Sequence, residues 1–196
     1  TGQVNSLLSQ QIVAITSDDI SVLLPTQSIA LLTSQIGILL TSQINVLQSV
    51  QTTILTTDQI IAFTSIQIPV ITTLDIITLT TDQTDSLLTS QIVSLITSQV
   101  VVINTSQINT FTSSQISAFI TNQIAVVTTV DVINITTSNI ANLLNPQVSA
   151  LTTAQVISLI PDEQIVTLTT SQIPALLINQ VNVLTTRQTL VLATNQ

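Results

Sequence analysis

Cysteine, histidine, methionine, tryptophan, tyrosine and lysine are all missing from the 196 residues, and Arg187 is the single basic side chain. Each absence removes chemistry. Without His or Cys there is no imidazole base, thiolate nucleophile, zinc site or redox pair, so neither a cofactor nor a metal is expected and no catalytic residue can be named. One Arg cannot neutralise a phosphate backbone, which excludes nucleic acid as a partner. The lack of Cys leaves the redox compartment open. The chain begins at Thr1 with neither an initiator Met nor a charged-then-apolar leader, which reads as a processed form or a piece of something longer.

Charge, aromatics and glycine are scarce: 5 % charged residues, 2 % aromatic ones and 2 Gly, against 45 % hydrophobic ones. The net charge of −8 comes from nine acids and one Arg and gives modest solubility with no strong acidic field. A mean hydropathy of +0.67 raises the question of a membrane. Thr, Ser, Gln or Asn interrupts every few positions, however, and no window approaches the roughly 18 apolar residues of a spanning helix. Disorder is excluded as well, because Ile, Val and Leu are too plentiful for a chain unable to bury surface.

What the chain has is a repeat of eight residues. Writing the octad as a to h, Leu151-Thr152-Thr153-Ala154-Gln155-Val156-Ile157-Ser158 and Leu168-Thr169-Thr170-Ser171-Gln172-Ile173-Pro174-Ala175 illustrate the consensus L-T-T-x-Q-I-x-x. All 24 a residues are apolar, including Phe63, Phe111 and Phe119. Position e is Gln in 21 of 25 octads, from Gln3 to Gln196, and the exceptions Asp19, Asp75, Asp131 and Asn139 keep a side-chain carbonyl. Position f is Ile or Val in 20 of 24 and c is Ser or Thr in 21 of 25. Rows a and f are predicted to be buried.

The expected organisation is one continuous octad solenoid over residues 1–196. Its register shifts by one residue within 159–167, where Pro161-Asp162-Glu163 suggests a loop or bulge extruded from one turn. An approximate 56-residue super-repeat overlies the octads, since the three e-row Asp are 56 apart and Leu31-Leu32-Thr33-Ser34-Gln35-Ile36 recurs as Leu87-Leu88-Thr89-Ser90-Gln91-Ile92. Duplication of a seven-octad block and a physical repeat in an assembly both account for it.

Two readings of the octad compete. In the helical one, Thr at b and Gln at e form a capping box, with a and f as the hydrophobic staple, and the chain is an α-solenoid of very short capping-box helices. Ten of 24 b residues are Leu or Ile, however, among them Leu32, Leu88, Ile96, Leu144 and Leu177, and these cannot cap. The hydroxyl is more regular at c. Alternation of a, c and e, abundant β-branched residues, and Pro69 and Pro174 at g all favour strands. The predicted fold is therefore all-β, a β-solenoid of eight-residue repeats with coils of 16 or 24 residues. Few glycines for its corners is the main objection. In that fold the Gln side chains either stack as amide ladders along the axis or cap corners by bonding backbone.

The tandem L-T-T-x-Q-I/V octads resemble the low-charge repeats of very large bacterial surface or secreted proteins of the adhesin-like exoprotein kind. The resemblance spans essentially the whole chain, although g and h carry Ile, Val, Thr and Asn where an Ala-rich version has Ala. It implies an extracellular or cell-surface location and a structural or adhesive role.

No catalytic constellation emerges from the acids. Asp18-Asp19, Asp82 with Asp85, and Asp162-Glu163 lack the frame of a calcium loop and read as solvated corners. Asn104-Thr105-Ser106 and Asn134-Ile135-Thr136 match the glycosylation triplet, as a chain this rich in Asn, Ser and Thr does by chance; glycans are a compatible partner. Ice binding by Thr rows is disfavoured because row c shares its strand face with buried Leu. Octads run to both ends without a charged cap, and Leu88, Ile96, Ile77, Val93 and Ile157 are predicted to face outward. These features predict a non-enzymatic structural protein that assembles with itself, head to tail and laterally, into an extracellular filament, fibre or sheath. The alternative is a monomeric adhesin stalk.

Overall fold

The computed structural model describes residues 2–195, so Thr1 and the e-row residue Gln196 lie outside the described residues. Most octads make one short helical segment, and the last described helix, Thr186–Asn195, runs on through two octads. In the helix Thr41–Ile44, the b residue Leu40 is extended (φ −70°, ψ 153°) and its carbonyl accepts from Gln43 N (2.9 Å) and Ile44 N (3.0 Å). The turn closes when Leu47 N, at the next a, bonds the Ile44 carbonyl at 3.1 Å. Residue a is extended in its turn, as at Leu95 (φ −60°, ψ 136°). Two consecutive extended residues, a and b, thus bend the chain between helices. No described residue has positive φ, which is why the fold runs on two glycines.

This corrects the predicted β-solenoid: the described residues form 21 short α-helical segments and three 3₁₀ turns and contain no strand. The capping box has two separable halves, and only a demand for both excludes Leu at b. Gln at e needs only the backbone N–H of b, which Leu supplies as well as Thr does. The hydroxyl half is added only where b can accept, as at Thr56, Thr80, Thr112 and Thr152. β-Branched residues cost a helix only about a few tenths of a kcal/mol each, too little to outweigh capping and burial in a helix of one turn.

Two prolines also fit. Pro69 and Pro174 lack the g N–H that elsewhere returns to the helix, and their octads tighten into the 3₁₀ turns Ile68–Val70 and Ile173–Ala175. Pro25 occupies the first turn of its helix, where no N–H is needed.

The chain divides into two compact units, Thr1–Ile103 and Asn104–Gln196. Within the first, Ser17–Ser21 packs on Thr41–Ile44, Thr33–Ile36 on Thr57–Ile61, and Ser49–Thr52 on Thr73–Thr78. Within the second, Thr105–Ile108 packs on Thr129–Asn134, which packs on Thr153–Ser158. In both units the contact joins octads three apart, so one coil takes three octads, the 24-residue option. Fifty-six residues is not a whole number of such coils, so the super-repeat follows the sequence and not the coil.

Rows a and f form the core of each unit: Ile36, Ile44, Ile92, Leu31 and Leu95 in the first, Ile116, Val148, Val156, Phe119 and Leu159 in the second are all buried. Each contributes about 1.5–3 kcal/mol. Phe111 and Phe119, adjacent in row a, meet edge to face with centroids 5.5 Å apart. Row c corrects the strand parity, since Thr33, Thr41, Thr89 and Thr97 are exposed at the helix start instead of sharing the buried face of a. No helix among the described residues is long and apolar enough to cross a membrane.

Candidate functional site

The most regular chemistry lies in the buried e row. Gln43 shows the pattern. Its Oε1 accepts from the backbone N–H of Leu40 at 2.7 Å, closing its own octad. Its Nε2 donates to the carbonyls of Ile12 (2.9 Å) and Ile15 (2.7 Å), which are 31 and 28 residues earlier and belong to the coil beneath. These are an f carbonyl in the helix and the a carbonyl that opens the bend. Gln67 repeats the arrangement: its Oε1 accepts from Thr64 N at 2.8 Å, and its Nε2 reaches the carbonyls of Ile36 and Leu39. Gln99 reaches Ile68 and Ile71, and in the second unit Gln147 reaches Ile116 and Phe119 while Gln155 reaches Ile124 and Val127. One amide therefore caps a helix with its oxygen and ties two coils with its nitrogen. The amide-to-amide ladder gives way to bonding between side chain and backbone.

Gln alone among the neutral side chains here is both long enough and bifunctional. The shorter Asn139 reaches one carbonyl, Phe111 (2.7 Å), and its Oδ1 accepts from Ser113 Oγ (2.9 Å). Asp has no donor, and its surroundings are inverted. Asp75 accepts from Thr72 Oγ1 (2.5 Å), Ser49 Oγ (3.0 Å) and Thr52 Oγ1 (3.2 Å). Asp131 accepts from Thr128 Oγ1 (2.5 Å) and Thr105 Oγ1 (3.1 Å), and Asp19 from Thr16 Oγ1 (2.6 Å). Hydroxyls of the same octad, and for Asp75 and Asp131 of the coil beneath, replace the amide. The sequence carried a signal for this that composition hides: all four e residues other than Gln have Thr at b, namely Thr16, Thr72, Thr128 and Thr136.

The extra residue near Pro161 widens one turn. Gln164 N (2.8 Å) and Ile165 N (3.0 Å) both bond the Ile160 carbonyl, and Val166 N bonds that of Pro161 (3.3 Å). The five-residue spacing of the last two bonds is a π-type turn. Gln164 still accepts from Ile160 N (3.0 Å), and its Nε2 still reaches an f and an a carbonyl, Val132 and Ile135, at separations lengthened to 32 and 29. The insertion thus projects outward without breaking the row. Asp162 on it receives Arg187 Nε (3.1 Å) and Nη2 (2.5 Å) from the octad stacked against it. This exposed pairing raises the Arg187 pKa, through the hydrogen bond first and the charge second.

No group of three or more acidic side chains that could hold a metal ion occurs among the described residues. Asn104 uses its side chain to accept from Ser106 N and Gln107 N as a helix cap, and Asn134 donates to the Val130 carbonyl. An interior void lined by Thr52, Ile60, Phe63 and Ile76 offers about 20 Å³, the space of one water molecule. Outside, Leu88, Ile96, Ile77, Val93 and Ile157 are each 43–47 % exposed. No family model, curated protein or solved structure matches the chain.

Proposed function

We propose that the chain is a structural repeat protein that associates with itself, end on end and side by side, into an extracellular or cell-surface filament, fibre or sheath. The observation that carries this reading is the sameness of the coil interface. Within each unit a Gln amide meets an f and an a carbonyl over rows of Ile, Val and Leu in most octads, so each coil is a template for the next. Exposed apolar residues at b and g, such as Leu88 and Val93, add side-by-side contact surface. Low charge density opposes association only weakly. The resemblance to bacterial surface repeats supports the location. Exposure of row c removes the burial argument against ice binding, but that hydroxyl row is interrupted at Pro25, Asn145, Pro161 and Ile178, and assembly uses more of the molecule.

Sedimentation velocity across a concentration series in neutral buffer, with electron microscopy and far-UV circular dichroism on the same sample, tests the reading. Filaments that lengthen with concentration and give a helical spectrum are expected. A species that stays monomeric at every concentration overturns self-assembly and favours the stalk.

A further inference from the structure

We propose that a second copy of this chain docks side on against one uncharged column of the first unit, with the two copies antiparallel about a two-fold axis. The proposal rests on the self-assembly reading and names its lateral contact. The column consists of Pro25–Ser28, Ser49–Thr52, Thr73–Thr78 and Thr97–Val100, each packed on the next, one helix per coil. Position d faces solvent in the first turn of each helix and is polar in most octads, as at Ser42, Asp58 and Ser90. On this column it is Val50 and Leu74, which are 61 % and 64 % exposed. Ile54 and Ile77 are exposed on the same two octads, and Ile96 and Val101 flank the fourth helix, exposed as well. The six present roughly 500 Å² per copy, so a pair covers about the 1,000 Å² that a specific interface needs before the Thr and Ser around them are counted.

Charge selects both the face and the partner. The first unit carries six acids and no basic residue, so two copies repel wherever their acids meet. Five of the six are exposed and stand on the other two columns: Asp18 and Asp19 on Ser17–Ser21, Asp58 on Thr57–Ile61, Asp82 and Asp85 on Thr81–Asp85. The sixth, Asp75, belongs to the uncharged column but is 1 % exposed. Ile66, Leu88 and Val93 are exposed too, yet their column starts at Asp18 and Asp19. An antiparallel pair over that column would press those acids, unpaired, against the aliphatic residues of the other copy. A basic partner would be drawn to the acidic columns instead. The uncharged column fits a face as apolar as itself, which a second copy supplies.

A hollow of about 460 Å³, lined by Pro25, Ser49, Val50, Thr53 and Ile54, opens beside the first two helices of the column. A two-fold axis between Ser49–Thr52 and Thr73–Thr78 sets each of these helices against the other one in the second copy, and Leu74 of each copy enters the hollow of its partner. The contact is isologous and closes on itself. Lateral growth therefore stops at a pair, and a filament of such pairs has no polarity.

The test uses variants of the full chain. Val50→Asp with Leu74→Asp puts charge at two d positions, where Asp18, Asp58 and Asp82 already stand in this fold, so wild-type dichroism and melting midpoint are expected. Lateral pairing, read by sedimentation velocity and by filament width in electron microscopy, is expected to weaken at least about tenfold, because both acids would be buried against apolar surface. Ile66→Asp, at position d of another column, is expected to leave pairing unchanged. The chain has no cysteine, so Val50→Cys and Leu74→Cys can be mixed and joined by a short bismaleimide, and a covalent dimer of one copy of each is expected. Pairs that survive the double aspartate change, or that are lost equally with Ile66→Asp, overturn the proposal while leaving self-assembly standing through other contacts. Pairs that form without the mixed cross-link overturn it, as do strands that grow only end on end, one molecule wide. A wild type that stays monomeric at every concentration overturns this proposal and the reading beneath it together.

Discussion

Gln99 Nε2 lies 2.7 Å from the carbonyl oxygen of Ile71, 28 residues earlier, in a side chain with 0 % of its surface exposed. The same nitrogen donates to Ile68 at 2.7 Å, while Oε1 accepts from Ile96 N at 2.9 Å. Gln99→Glu keeps the oxygen and deletes both donors, burying a carboxylate opposite two acceptors. The expected loss is about 3 kcal/mol or more, from unsatisfied carbonyls and an unpaired buried charge. Denaturant unfolding checks this. The same change at exposed Gln11 is expected to leave the midpoint in place, so equal losses at the two sites would show that the nitrogen is not what matters.

Much of this row was legible. The octad, the buried a and f rows, the regular e glutamine and the insertion at Pro161 all follow from residue identity at a fixed spacing. The fold class did not, because Leu at b looked incompatible with a capping box whose glutamine half uses only backbone. Leu40, capped by Gln43 at 2.7 Å, is the plain counterexample. Row c misled for a related reason: Ser and Thr recur there as the first helical residue, facing solvent, and not as the inner face of a strand. Residues per coil were out of reach, since the bonds that set them run from side chain to backbone across 28 and 31 residues and leave no mark on the local pattern.

Separating the two halves of the box gives a second prediction. Thr56 Oγ1 accepts from Gln59 N at 3.2 Å, while Gln59 Oε1 takes Thr56 N at 2.9 Å. Thr56→Val should cost about 1 kcal/mol or less, the worth of one helix cap. Thr72→Val should cost about 2 kcal/mol, because Thr72 Oγ1 also donates to Asp75, itself 1 % exposed, which would lose its closest donor. Equal effects in urea would refute the claim that Thr at b has a separate task beside Asp.

Asn139 is the place to gain stability. It bonds Phe111 but not the second carbonyl that Gln would reach at Ile108, and it is too short to cap Thr136 N. Asn139→Gln should restore both bonds at the expense of the Ser113 contact, for a net gain of about 1 kcal/mol and a rise of about 2–4 °C in melting midpoint. A fall in midpoint would mean that the Ser113–Asn139 bond outweighs the amide tie.

The Arg187–Asp162 pair makes the opposite case. Its two bonds join separate nitrogens to separate carboxylate oxygens, but the side chains are 59 % and 58 % exposed, so water screens their attraction and ordering two flexible groups offsets the rest. The raised pKa of Arg187 implies stability that is present below the ordinary arginine value and lost only as pH climbs past the raised one, beyond any pH at which the fold would be assayed. Arg187→Gln should therefore leave the midpoint unchanged within error at neutral pH, at low and high salt alike. A clear, salt-sensitive loss would instead make this bridge a clasp that holds the widened turn at Pro161 against the octad above it.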